Sequence, residues 1–96
     1  MPMFVGIVRV RLRLHGVSSL KEKRAILRHI KDRSRARHNI SVAEVEDQDR
    51  HQAATLGFVA VGHSEEVLVS LFDKIRDGID RAVPGGVTDW DQEIMS

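Results

Sequence analysis

Four extended runs and two helical stretches in the order βαββαβ predict an α+β domain, a four-stranded antiparallel sheet with both helices on one face. Residues 3–14 and 87–95 alternate with period two, whereas residues 19–38 and 64–83 place apolar side chains at the three-and-four spacing of a helix. Ninety-six residues supply one modest core and too little chain for two, so a single domain over 1–96 is expected.

The first strand, Met3 to Leu14, carries Phe4, Val8, Val10, Leu12 and Leu14 on one face and Val5, Ile7, Arg9, Arg11 and Arg13 on the other. His15-Gly16-Val17-Ser18 connects it to a helix opened by the capping box Ser19-Leu20-Lys21-Glu22. There the serine hydroxyl should accept from the third N–H, and the glutamate should reach back to the cap's own N–H. At about 100° per residue, Ile26, Leu27, Ile30 and Ser34 share a face, with Leu20 at its margin. Lys21, Arg24, Arg28, Lys31 and Arg35 fall in a separate wedge roughly 80° wide. Like charges one turn apart cost a few tenths of a kcal/mol each, and Asp32 is the one acid placed to relieve Arg28. A charged helix face is commonly just solvated; it also suits an anionic partner. Asn39 suits the left-handed residue that ends a helix.

Ile40 to Glu46 is a second strand, apolar on both faces and therefore ambiguous in register. The polar turn 47–52 joins it to a third strand, Ala53 to Gly62, in which Gly57 marks a close backbone approach. Ser64 with Glu65 and Glu66 opens a second helix whose apolar stripe is Val67, Leu68, Leu71, Phe72, Ile75 and Ile79. Pro84-Gly85-Gly86 ends it, and Val87 to Met95 is the fourth strand. The arrangement is the ferredoxin-like plan, with usual strand order 4-1-3-2. The first strand is then central, and Arg9, Arg11 and Arg13 lie beside Asp89, Asp91 and Glu93 on the helix-free face.

The chain is 42% hydrophobic and 30% charged, as ordinary globular proteins are, and Trp90 with three phenylalanines is its whole aromatic content. It has no cysteine, which excludes disulfides and thiolate metal sites and fits a reducing compartment. Basic residues interrupt the N-terminal apolar run before a secretory signal can form, so a cytoplasmic location is expected. The net charge of +1 hides a division: residues 1–38 carry +9 and residues 39–96 carry −8. That asymmetry suggests a polyanionic partner unless folding interleaves the two halves.

No catalytic spacing stands out. Asp47-x-Asp49-x-His51 puts two carboxylates and an imidazole on one side of an extended segment, but three such residues without a second anchoring group fit a solvated turn better than a metal or general-base site. The five histidines form neither a triad nor a HExxH pattern, and the glycines lack phosphate-loop spacing. Gly16-Val17 and Arg24 distantly resemble the glycine-valine turn and arginine of acylphosphatases. The Phe-Arg pair that family carries after the turn is Ser19-Leu20 here, and of its asparagine-bearing second strand only Asn39 is a candidate. Catalytic residues, metal and cofactors are expected to be absent.

Taken together, Ser19-Leu20-Lys21-Glu22-Lys23-Arg24, Ser41-Val42-Ala43-Glu44-Val45, Gln48-Asp49, Gln52 and Leu56-Gly57 resemble the YlxP-like family of small bacterial proteins of unknown function. The resemblance implies a ferredoxin-like fold in a cytoplasmic bacterial protein, often encoded near genes for translation initiation and ribosome maturation. It supplies no catalytic residues. The expectation is a non-enzymatic protein that meets the phosphate backbone of structured RNA, such as a ribosomal subunit, through Lys21, Arg24, Arg28, Lys31 and Arg35. The alternative is a protein-interaction or ligand-sensing module that dimerises through the open sheet face, where Val5, Ile7 and some of Ile40, Val42, Ala43 and Val45 remain uncovered.

Overall fold

The computed structural model describes residues 2–96; Met1, counted in the single domain expected, lies outside them. Its elements are β1 (Phe4–Arg13), α1 (Leu20–Arg37), β2 (Ser41–Glu46), β3 (Ala53–Gly62), α2 (Glu65–Ala82) and β4 (Val87–Met95). The strands form one antiparallel sheet in the order β2-β3-β1-β4, which is the expected order read from the other edge. Both helices cover the face built from Val8, Val10 and Leu12 of β1 and Leu56, Phe58 and Ala60 of β3, and Leu27, Ile30, Leu68, Phe72, Ile75 and Ile79 complete the core.

Alternation in β1 sorts its residues as the sequence predicts, with the even positions of 8–12 buried and Ile7, Arg9, Arg11 and Arg13 exposed. Gly6 interrupts that series for a reason the pattern does not show. The Phe72 ring occupies the place of a side chain at this position, and a Cβ would sit 2.5 Å from Phe72 Cε2. The β2 register is settled by pairing: Val42 faces Phe58 and Glu44 faces Leu56 on the helix side, while Ala43 faces Gly57 on the open side. A bulge between Glu44 and Glu46 then turns Glu46 to the open face opposite Thr55.

Three local expectations are corrected. Ser19 Oγ accepts from Glu22 N–H at 3.1 Å as a cap should, but the Glu22 carboxylate reaches one residue further back. It accepts from Ser18 N–H at 3.3 Å on Oε2 and from Ser18 Oγ–H at 3.1 Å on Oε1, so both carboxylate oxygens are taken up by Ser18. α1 ends not on a left-handed Asn39 but on an extended His38, φ −138°, whose N–H donates to Ser34 C=O. Among described non-glycine residues, positive φ occurs at Asp47, in the β2–β3 turn. In α2, Val67 lies in the first turn at the edge of the apolar stripe and is exposed, while Leu68, Phe72, Ile75 and Ile79 do the packing.

Candidate nucleic-acid interface

The cationic wedge of α1 lies along the β2 edge of the sandwich. Arg24, Arg28, Lys31 and Arg35 line one groove of about 430 Å³ with Leu27, Asp32 and Glu44, and Lys21, one turn before Arg24, is exposed outside it. β2 is an edge strand, so its outward carbonyls need other partners. Arg35 supplies one, donating from Nη2 to Val42 C=O at 3.0 Å, while its Nη1 lies 3.8 Å from Asp32 Oδ1. Asp32 therefore relieves Arg35 and not Arg28, since the three-residue offset brings it to the former. Among the described residues, Lys21, Arg24, Arg28 and Lys31 have no carboxylate within 4.0 Å. Four of the five predicted cations are thus uncommitted, and the fifth helps to hold α1 against the edge strand.

The β1 arginines are committed differently. Arg9 is in register with Asp91 and Arg11 with Asp89, as the strand order requires, but neither carboxylate comes within ion-pair distance. Both guanidiniums instead reach across β3 to Glu46, Arg9 at 3.7 Å and Arg11 at 3.5 Å. The bulge presents Glu46 on that face, while the space over Gly57, opposite Arg9, is taken by Val45, whose Cγ1 would lie 3.2 Å from a Cβ at 57. Arg13 lies beyond the paired part of β4, and among the described residues it has no ion-pair partner.

Lys23 lies on α1 outside the cationic wedge, and it is 1% exposed. Its Nζ lies 2.8 Å from Glu44 Oε2 and donates to the carbonyls of Asp47 and Arg50, the latter at 2.7 Å. The ammonium thereby pins the β2–β3 turn to α1. Gln52 continues the clamp by donating from Nε2 to Val17 C=O, while its own carbonyl accepts from Leu14 N–H. The spacing held a signal for this: Lys23 precedes Leu27, Ile30 and Ser34 by four, seven and eleven residues, which puts it on the packing face.

Asp47, Asp49 and His51 line an open cleft of about 700 Å³ at the end of the sheet, shared with Arg11, Arg13 and Arg50. Asp47 is already engaged there. Its Oδ2 accepts from the buried Thr55 hydroxyl at 3.1 Å and its Oδ1 lies 3.8 Å from Arg50. Among the described residues, no three His, Asp or Glu side chains are placed to hold a metal ion. No helix among them is long and apolar enough to cross a membrane.

A second set of cations lies between the helices, where the sequence singled out nothing. His29, Arg33, Arg37 and His38 on the α1 side share a groove with Lys74 and Arg81 of α2. A helical wheel treats one element at a time, so cations contributed by two helices to one groove escape it.

Residues 5–92 match the model of the family described as a protein of unknown function, DUF503. The chain belongs to the DUF503 family. The uncharacterized protein YlxP of Bacillus subtilis (strain 168) is 35% identical over 60 residues, which cover 62% of this chain and 65% of that relative's length. The segments that carry the family resemblance, Ser19 to Arg24, Ser41 to Val45, Gln48-Asp49 and Gln52, meet at the Lys23–Glu44 clamp and the turn it holds. Among solved structures, a dimeric ferredoxin-like protein of unknown function from Thermobifida fusca superposes with a TM-score of 0.59 at 9% identity, covering 100% of this chain and 92% of that one. The de novo designed protein Foldit4 gives 0.62 at 12% identity over 99% and 98% of the two chains. At such identities the likeness shows the βαββαβ ferredoxin-like fold.

Proposed function

We propose that this DUF503 chain is a non-enzymatic RNA-binding protein that meets the phosphate backbone of structured RNA, such as a ribosomal subunit, along the outer flank of α1. The observation that carries the reading is the free state of Lys21, Arg24, Arg28 and Lys31, which have no carboxylate within 4.0 Å among the described residues although twelve acids lie in the second half of the chain. Solvated cations in a row neutralise phosphates and release their counterions, a task that needs neither a catalytic group nor base-edge contacts. The sheet face lacks the paired aromatics of a base-stacking platform, and Trp90 is engaged with Arg76, whose guanidinium carbon is 5.1 Å from the ring centre. Filter binding of a structured ribosomal RNA fragment at low salt tests the reading. The parent should bind, and Arg24→Gln/Arg28→Gln/Lys31→Gln should bind far more weakly while circular dichroism stays that of the parent. Equal retention of the two proteins would overturn it.

A second reading, a module that dimerises through the open sheet face, rests on its own observation. Ile7, Val45, Val59, Val61 and Met95 are all exposed there, Val61 at 57%. Monomers seldom leave so many apolar residues on one face.

A further inference from the structure

We propose that the groove between α1 and α2 is a binding site for a ligand with two adjacent phosphate groups, pyrophosphate either free or within a nucleoside diphosphate. The site shares no residue with the RNA-binding flank: at about 100° per residue, Arg33 and Arg37 lie roughly opposite Arg24 and Arg28 around the α1 axis. The groove holds about 450 Å³, within the range of small-ligand sites. Its walls present Arg33, Arg37 and His38 from one side and Lys74 and Arg81 from the other, with Asp77 the one carboxylate in the lining. Among the described residues, none of these four arginine and lysine side chains has a carboxylate within 4.0 Å. Arg37 and Arg81 sit in the last turns of their helices, where a cation also favours the macrodipole. Arg33 and Lys74 lie further in, and that account does not reach them. Three guanidinium forks and an ammonium around one space match the oxygens of a diphosphate.

Gly78 supplies an independent observation. It stands inside an 18-residue helix, where glycine is a poor former, yet a Cβ added to it would meet no atom within 4 Å. Helix packing therefore does not account for the missing side chain, and the open space belongs to the groove. The His38 imidazole is held below its ordinary pKa by burial and then by the charges of Lys74 and Arg37. The groups facing it across the groove are Arg33, Arg37 and His29 of α1 and Lys74, Asp77 and Arg81 of α2. An anion among them offsets the cationic field, so binding should raise the His38 pKa, take up protons, and weaken as pH rises through the lowered value.

The test is calorimetric titration of the full chain with sodium pyrophosphate and, separately, ADP at low salt, alongside proton NMR of the His38 ring. At least one probe should bind with one-to-one stoichiometry and move the His38 titration upward. Arg33→Gln/Lys74→Gln, two side chains outside the core, should lose about tenfold in affinity per cation removed. Gly78→Leu should fill the groove and abolish binding. Arg24→Gln/Arg28→Gln/Lys31→Gln should bind as the parent does. Pyrophosphate binding as tightly as ADP would identify the free diphosphate as sufficient, and tighter ADP would identify a nucleotide. The proposal is overturned if neither probe moves His38, or if the α1 flank triple variant loses as much affinity as the groove variant.

Discussion

Taking the Lys23 ammonium out of water costs several kcal/mol, and the protein offsets this with one carboxylate and two backbone carbonyls arranged around Nζ. Replacing Lys23 by methionine keeps the volume and removes all three partners at once. Urea denaturation of Lys23→Met should show a loss of about 3 to 5 kcal/mol, as for other half-broken buried pairs. Adding Glu44→Gln should recover part of it, and a double-mutant cycle with no coupling would refute the clamp. On the open face the Arg9 and Arg11 pairs with Glu46 are solvent-exposed and contribute about 1 kcal/mol or less each. Residue-level detail was the least legible part of the sequence. The alternation of β1 predicted which face the arginines occupy. Their choice of Glu46 over Asp89 and Asp91 depends on the bulge that turns Glu46 to the open face, and strand-by-strand patterning does not register it.

Among the elements, α1 carries the most. Its packing face is the predicted one, with Leu27 and Ile30 buried, and Ile30→Ala should cost about 2 to 5 kcal/mol in chemical denaturation. A midpoint that barely moves would contradict the assignment. β1 and α2 fit by the seating of Phe72 against Gly6, so Gly6→Ala should overpack the core and lose about 1 to 3 kcal/mol. Elements with one buried face were legible in type and in packing face, since their period records what they touch. β2 was legible as a strand and not in register. Its alternation is broken by a bulge, and Val42, Ala43 and Val45 offer both faces apolar residues. The end of α1 was misjudged because Asn39 favours a left-handed cap, whereas His38 closes the helix in extended form.

At the scale of the whole molecule, the +9 and −8 halves of the chain are partly interleaved and partly held apart. The β1 arginines are set among Glu46 and the β4 carboxylates, which leaves little net field on the sheet. Apart from Lys23 and Arg35, the α1 cations meet no carboxylate within 4.0 Å among the described residues, and they leave the protein two basic flanks on the helix layer. The opposite face ends in the apolar cluster around Ile7 and Val61. If two copies pair through it, light scattering at micromolar concentration should give a mass near twice 10.8 kDa, and Ile7→Asp should return the monomer. A monomeric parent would count against that pairing. The central claim, that the outer flank of α1 binds RNA through its phosphates, is tested most directly by the salt dependence of affinity. Each cation that neutralises a phosphate contributes a slope of about −0.7 to −0.9 in log affinity against log salt. The parent should therefore show a steep negative slope, which Arg24→Gln/Arg28→Gln/Lys31→Gln reduces by about two to three units. A parent with no RNA affinity at low salt, or a triple variant with the parent's slope, would contradict the account.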